Sequence, residues 1–394
     1  MHAGSSLRGA AAAMTLLVQE QIASIAVPSF SAIRSWLLRV GLYALTRPLQ
    51  RRTRGWVWLV DHTIQIGTLK ILVILGCPLD RVPFGERALQ LADLQMVALV
   101  PMEQSTGAAV DKELDRAVER TGVPAQIVGD QGSDLKKGIT DFCNWEIRTE
   151  YVPDVAHYGA TLLERAWSDL PRWREFYSQL QSTSSKLRQT KAAYLLAPRP
   201  RSKARFMNVG VQLHFARRVL KLLTRPVPHE KAMAYYGWLL DYQADLAVWQ
   251  REHGLVQTTI ALLRVHGLHA ESLAELEKNW GPISGPDSTR GIAESLRAYV
   301  TQHKPKDEAR RFVASSEVLE SAFGKLKRLE RDQSSDGLTG LVLALGAMMG
   351  TTSEEDLCQA LEATPEKKVK NWVKNKLGET MQWLRRQFFR ETKA

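Results

Sequence analysis

Five short apolar runs between Trp56 and Pro153 constrain the fold more than any other feature of the sequence. Trp56–Val60, Leu69–Leu75, Met96–Val100 and Ala125–Val128 are rich in β-branched residues and bounded by Gly, Pro or Asp, and Thr149–Val152 follows as a fifth candidate strand. Between the third and fourth runs, Thr106–Thr121 brings Ala109, Leu114, Ala117 and Val118 round at helical spacing, and Gly122 and Pro124 stop the helix. Ser133–Trp145 reads as a second helix, with Leu135, Ile139, Phe142 and Trp145 on one side. The order is therefore three strands, helix, strand, helix, strand. That order predicts an α/β layer with a mixed five-stranded sheet and flanking helices.

The remainder is helical in texture. From His157 to about Arg311 the 3.6-residue period dominates, through Tyr158–Trp167, Trp173–Leu187, Val211–Leu223, Ala232–His253, Val256–Arg264 and Leu268–Leu276. A further helix begins near Ser315, and the apolar Gly340–Met349 and basic Lys367–Arg390 segments extend a helical tail. The first fifty residues also read as helical, with Pro28–Leu42 suggesting a small helix-turn-helix. The expected divisions are a helical DNA-binding segment over 1–50, an α/β core over 51–157, an all-α insertion over 158–311, a helix completing the core over 312–335, and a basic helical segment over 336–394. Apolar residues make up 44% of the chain and charged residues 24%, which excludes wholesale disorder and a disulfide mini-scaffold. Cys77, Cys143 and Cys358 are far apart and form no CxxC pair, as expected in a reducing compartment. No run reaches the ~18 apolar residues of a membrane span. Ala10–Val18 is followed at once by Glu20, without a small-x-small cleavage site. These features predict a soluble intracellular protein that enters no membrane.

The acids of the α/β layer carry the candidate chemistry. Asp61 ends the run Trp-Val-Trp-Leu-Val and so closes the first strand, while Asp130 ends the fourth. In this layout those two strands are commonly adjacent and parallel, which sets the two carboxylates side by side. Like charges held so close call for a bridging cation. A pair of Mg²⁺ or Mn²⁺ ions is the standard arrangement for in-line phosphoryl displacement. Taken singly, each Asp equally suits a strand-ending turn.

Four segments resemble the core of DDE transposases, the RNase H-like enzymes of bacterial insertion sequences, close in plan to the Mutator-like and hAT groups. They are Val60-Asp61-His62-Thr63, Val128-Gly-Asp130-Gln-Gly-Ser-Asp134-Leu, Tyr151-Val-Pro-Asp154-Val-Ala-His157, and Ala314-Ser-Ser-Glu317-Val-Leu-Glu320-Ser-Ala-Phe-Gly-Lys-Leu-Lys327. The resemblance covers roughly residues 56 to 331. It implies an RNase H-like core interrupted by a large helical insertion, and a third metal-binding acid on the helix after that insertion. Glu317 and Glu320 compete for that place. Glu317 falls in the first helical turn, where unpaired amides already favour a carboxylate; Glu320, expected a turn deeper, shares a face with Gly324, Lys327 and Arg331, and is the choice. The resemblance also implies a (Cys/Asp)-x-x-His motif, matched by Asp154 and His157. That pair could bind metal or a scissile phosphate, or could simply cap and orient the next helix.

Charge points to the partner. The chain has 53 Lys and Arg against 42 Asp and Glu, a net +11. Between Ser185 and His229 stand eleven Lys or Arg and no acid, as many positive charges as the whole net excess. Lys186, Arg188, Lys191, Arg199, Arg201, Lys203 and Arg205, interleaved with Tyr194 and Phe206, have the composition of a phosphate-contacting surface. Elsewhere, His253, His266 and His269 have no zinc-site spacing, and Gly346-x-x-x-Gly350 suits close helix packing and not a phosphate loop. The leading reading is a cytoplasmic, nucleoid-associated bacterial transposase that cleaves and joins double-stranded DNA as a dimer or higher oligomer. Asp61, Asp130 and Glu320 would hold its ions, and Lys327 would meet DNA. An RNase H-like nuclease without strand transfer and a non-catalytic, domesticated DNA-binding protein are the alternatives.

Overall fold

The computed structural model describes residues 6–20, 22, 24, 26–50, 55–66, 69–199, 205–331, 339–350, 353–378, 383, 385 and 387–389. In chain order the elements are α1 Leu7–Gln19, α2 Phe30–Thr46, β1 Trp56–Ile66, β2 Leu69–Pro78, β3 Gln95–Met102, α3 Gly107–Thr121, β4 Gln126–Gly129, α4 Ser133–Trp145 and β5 Glu150–Pro153. Then follow α5 Val155–Trp167, α6 Pro171–Leu187, α7 Val209–Leu223, α8 Glu230–Tyr236, α9 Gln243–His266, α10 Ser272–Trp280 and α11 Asp287–His303. The chain ends with α12 Glu317–Arg331, α13 Ala344–Ala347, α14 Glu354–Ala363 and α15 Glu366–Leu377. Two compact units result: Met1–Val152 with Ser316–Ala394, and Pro153–Ser315. No helix among the described residues is long and apolar enough to cross a membrane.

The first unit is built on a mixed five-stranded sheet in the order β3-β2-β1-β4-β5. β1 pairs antiparallel with β2 and parallel with β4, and β2 pairs antiparallel with β3. One face is sealed by α3 and α4. Trp56, Trp58, Val60, Leu72 and Ile74 pack there against Val110, Leu114, Leu135, Ile139 and Phe142. Trp58 also satisfies its indole N–H on Thr121 Oγ1 at 3.2 Å, as a fully buried indole must. Alternation sends Val57, Leu59, Ile71 and Val73 to the other face, where each is completely buried.

Two expectations from the sequence are corrected here. The stretch Pro28–Leu42 is not a helix-turn-helix. It belongs to one continuous helix, α2, capped by the Ser29 hydroxyl on the Ala32 amide at 3.1 Å. Gly41 sits inside α2 and must be glycine, because a Cβ there would lie 1.8 Å from the Leu343 carbonyl oxygen. Gly346 in turn packs on Gly41, so its small size does serve close packing. Secondly, Asp61 does not close β1. The strand runs on to Ile66 because β2 continues to pair with it as far as Ile66↔Leu69.

The second unit is all helical. Its centre is aromatic: Trp167, Trp173, Phe176, Phe206 and Trp249 interlock, with Trp173 and Trp249 edge to face at 4.8 Å. The buried Glu252 carboxylate binds α9 to its neighbours, accepting from Trp167 Nε1 at 2.6 Å, Ser288 Oγ at 2.6 Å and Thr289 Oγ1 at 3.1 Å. Two segments read separately from the sequence, up to His253 and from Val256, are joined in the single helix α9.

Candidate functional site

Backbone register decides where the first two acids stand. The parallel β1–β4 ladder runs from Val57↔Gln126 to Val60↔Gly129, so Asp61 and Asp130 occupy the next step of the same register. β4 ends there while β1 continues, and Asp61 pairs on its other side with Val73 of β2. By alternation Asp61 shares the face of Val57 and Leu59, and Asp130 that of Gln126 and Val128, opposite the face sealed by α3 and α4. Gly129 marks the difference: a Cβ on it would point at Ile139 of α4, at 2.7 Å. Asp61 Oδ1 accepts from the His62 amide at 2.6 Å, and Asp130 Oδ1 accepts from the Gly132 amide at 2.9 Å. The Asp130 carbonyl is held by the Tyr151 hydroxyl of β5 at 2.9 Å.

Glu320 belongs to the same unit. Its helix, α12, buries Val318, Leu319, Ala322, Phe323, Leu326 and Leu329 and lies against β1, outside the cluster formed with α3 and α4. That places α12 on the face to which Asp61 belongs. Glu317 and Glu320 both fall in the first turn of α12, so the helix-terminal explanation that the sequence offers for Glu317 alone applies to Glu320 as well. Lys327 is exposed two turns further on. Among the described residues, no three His, Cys, Asp or Glu side chains are gathered into a group that could hold a metal ion. In kind, carboxylates supplied by neighbouring parallel strands suit a hard divalent cation, and register brings two of the three acids to one place.

A cluster on the opposite face of the same strand ends was not singled out from the sequence. Lys70 Nζ meets Asp134 Oδ2 at 2.8 Å, His62 Nδ1 stands 3.9 Å from that oxygen, and His62 Nε2 is 3.0 Å from Ser105 Oγ. Burial alone would raise the Asp134 carboxyl. The hydrogen bonds from Lys70 and Ser105, with the His62 and Lys70 charges, outweigh it and bring Asp134 down to about 2. Burial is also the largest influence on His62 and lowers it, with Lys70 acting the same way and Asp134 and Asp130 opposing. The cluster ties the start of α4, and the turn that follows Asp130, to β2. Its signal in the sequence was slight: an Asp in a first helical turn has reason enough to be there.

In the second unit Asp154 is the N-cap of α5. Its buried Oδ1 accepts from the His157 amide at 2.8 Å and lies 3.2 Å from His157 Nδ1. The capping alternative for this pair is thus realised.

The acid-free segment shows a clear division. Arg201 and Lys203 lie outside the described residues, and Arg205 opens a short 3-10 turn. Phe206 is buried in the aromatic centre, 6.2 Å from Trp167, and so is not a surface aromatic; Tyr194 is exposed. Lys186, Arg188, Lys191 and Arg199 are exposed, and so are Arg217, Arg218, Lys221 and Arg225. α7 presents Arg217, Arg218 and Lys221 outward because Leu213, Ala216, Val219 and Leu223 take its inner face. None of these eight cations forms an ion pair or hydrogen bond with another described residue. Elsewhere in the unit, Arg172 pairs with Asp245 at 2.8 Å, Arg297 with Glu277 at 2.9 Å, and Arg174 and Arg290 with Asp169 and Asp287.

No protein-family model and no curated protein matches the sequence. Among solved structures, the Drosophila P element transposase strand transfer complex is similar over 84% of this chain and 87% of that one, at 11% identity and a TM-score of 0.40. A likeness at that level says nothing about activity.

Proposed function

We propose that the chain is a DDE-type DNA transposase whose sheet is an RNase H-like core. The observation that carries this reading is the register match of Asp61 and Asp130 at the point where the parallel β1–β4 ladder ends. Asp61, Asp130 and Glu320 would hold two Mg²⁺ or Mn²⁺ ions. When bound, such ions activate the attacking oxygen and offset charge on the scissile phosphate. The protein's own residues orient and hold. Asp61 is fixed between β2 and β4, Asp130 is set by its turn and by Tyr151, and Glu320 would approach from α12, which lies against β1. The unpaired cations of the helical unit hold the sugar–phosphate backbone, and recognition of two DNA ends calls for at least a dimer.

The test is incubation of the protein with supercoiled plasmid and end-labelled duplex in Mg²⁺ or Mn²⁺. A transposase nicks the plasmid and joins labelled ends to it. Cleavage without joining would make the chain a nuclease. Salt-dependent binding with neither reaction would make it a non-catalytic DNA-binding protein.

A further inference from the structure

The basic helix α15 of the first unit has an outward face that the proposed chemistry does not use. Its inner face is settled by packing on α2 and β3. Val369 is buried there, Trp372 and Val373 are half-buried, and a Cβ on Gly340 would stand 2.8 Å from Val373 Cγ2. The opposite face is left to Lys367, Lys370, Asn371, Lys374 and Asn375, all exposed. Lys367, Asn371 and Lys374 follow at helical spacing and form one row, with Lys370 and Asn375 on either side. The helix's one acid, Glu366, lies off that row and stands 3.5 Å from Lys370. Among the described residues, Lys367, Lys374 and both asparagine side chains have no hydrogen-bond or ion-pair partner.

Lysines alone would make this an ordinary solvated face. The asparagines argue otherwise. Asn is a poorer helix former than Lys, Gln or Ala, and neither residue caps α15, which begins after Pro365 and ends at Gly378. Two mid-helix amides held outward between cations suit a partner that offers both phosphates and base edges. The major groove of DNA, about 12 Å wide, admits a helix about 10–12 Å across. There Asn pairs with adenine through N6 and N7, while lysines meet the flanking phosphates. An anionic lipid surface suits α15 less well, because an interfacial helix immerses its apolar face and that of α15 is committed to the protein. We propose that α15 lies in the major groove and reads adenines with Asn371 and Asn375. Four helical residues rise about 6 Å, against ~3.4 Å between base pairs, so the two adenines stand within about three base pairs of each other. The inference rests on the DNA-binding part of the function proposed above, and adds a sequence preference with its place in the fold.

The test selects binders for the full-length protein from a pool of random duplexes at fixed salt. The native protein should enrich sites with two closely spaced adenines, and bind them about tenfold or more tighter than a scrambled duplex. Asn371→Ala with Asn375→Ala should erase that preference and leave scrambled-duplex affinity unchanged. Both changes raise helix propensity, so α15 still forms in the variant. A second arm needs no variant: 7-deazaadenine, which lacks the N7 acceptor, should reduce native binding of the selected site to the scrambled level. The same replacement should not affect the double variant. No enrichment by the native protein, a preference that survives the double variant, or indifference to 7-deazaadenine would each overturn the proposal. Poly-glutamate supplies the last arm. Its binding, lost in Lys367→Gln with Lys374→Gln and accompanied by no preference among duplexes, would make α15 a surface for acidic proteins and overturn the groove assignment. Absence of salt-dependent binding to every duplex would instead defeat the DNA-binding reading itself.

Discussion

The strand ends of the sheet and the segment from Lys186 to Arg225 handle charge in opposite ways. At the strand ends each charged group has an address. Asp61 and Asp130 are set by ladder register, and Lys70 and Asp134 by a 2.8 Å contact. In the helical unit the eight exposed cations have no such address: among the described residues no acid pairs with any of them. Pairing exposed cations with acids is easy, as Arg172–Asp245 and Arg297–Glu277 show in the same unit. Leaving eight unpaired keeps them available to an external polyanion. The contrast teaches that the first region should be sensitive to single isosteric changes, and the second only to the number of charges removed.

The sharpest way to break that contrast is a one-atom change at the strand ends. Asp61→Asn or Asp130→Asn should lower metal-dependent DNA cleavage by at least about 10³-fold, or ~4 kcal/mol of barrier, with duplex affinity changed by less than about twofold. Comparable cleavage by either variant in a plasmid assay would remove that residue from the chemistry. The converse experiment removes charge in number. Changing Arg217, Arg218, Lys221 and Arg225 together to Gln should reduce the slope of log affinity against log salt by roughly 0.9 for each phosphate that is no longer neutralised. Cleavage at saturating DNA should persist. An unchanged slope would assign these residues to ordinary solvated surface.

How far the sequence disclosed these regions depended on the kind of signal involved. Strand positions and order were visible because β-branched runs bounded by Gly, Pro and Asp have few other uses, and the adjacency of β1 and β4 followed from that order. The true length of β1 was hidden. Its second half, Asp61 to Ile66, is mostly polar, and pairing with β2 keeps it extended. The reason for glycine at position 41 was equally hidden, because a sequence does not show that a backbone carbonyl will come to rest beside it. Phe206 looked like a nucleic-acid contact for a similar reason: burial among distant tryptophans leaves no local trace. The Lys70–Asp134 pair joins residues 64 apart in the chain, beyond the reach of any periodicity.

Two smaller effects would sharpen the picture at the strand ends. Glu317 and Glu320 share the first turn of α12, so replacing either by Gln should cost the helix only about 0.3–1 kcal/mol. Glu320→Gln alone should lose cleavage; the reverse pattern in parallel rate measurements would move the third acid to Glu317. The smallest expected effect concerns Asp134. Its carboxyl lies at about 2 in the folded protein, below its ordinary value, so the stability it lends is present above the unfolded pKa of about 4 and is lost as the pH falls from there towards 2. Asp134→Asn should therefore cost roughly 1 kcal/mol near neutrality, a figure held down by solvent screening of a partly exposed pair. The stability gap between the two proteins should close at low pH, and a gap independent of pH in urea titrations would deny the ion pair that role.

In the proposed function Asp61 and Asp130, at the same step of the β1–β4 register, would hold a divalent cation between them. Titration of Mn²⁺ into the DNA-free protein, followed by electron paramagnetic resonance, tests it without depending on cleavage. The native protein should bind Mn²⁺, with Mg²⁺ competing, and Asp61→Asn and Asp130→Asn should each weaken that binding by tenfold or more, about 1.4 kcal/mol. Native-like Mn²⁺ affinity in both variants would contradict the claim.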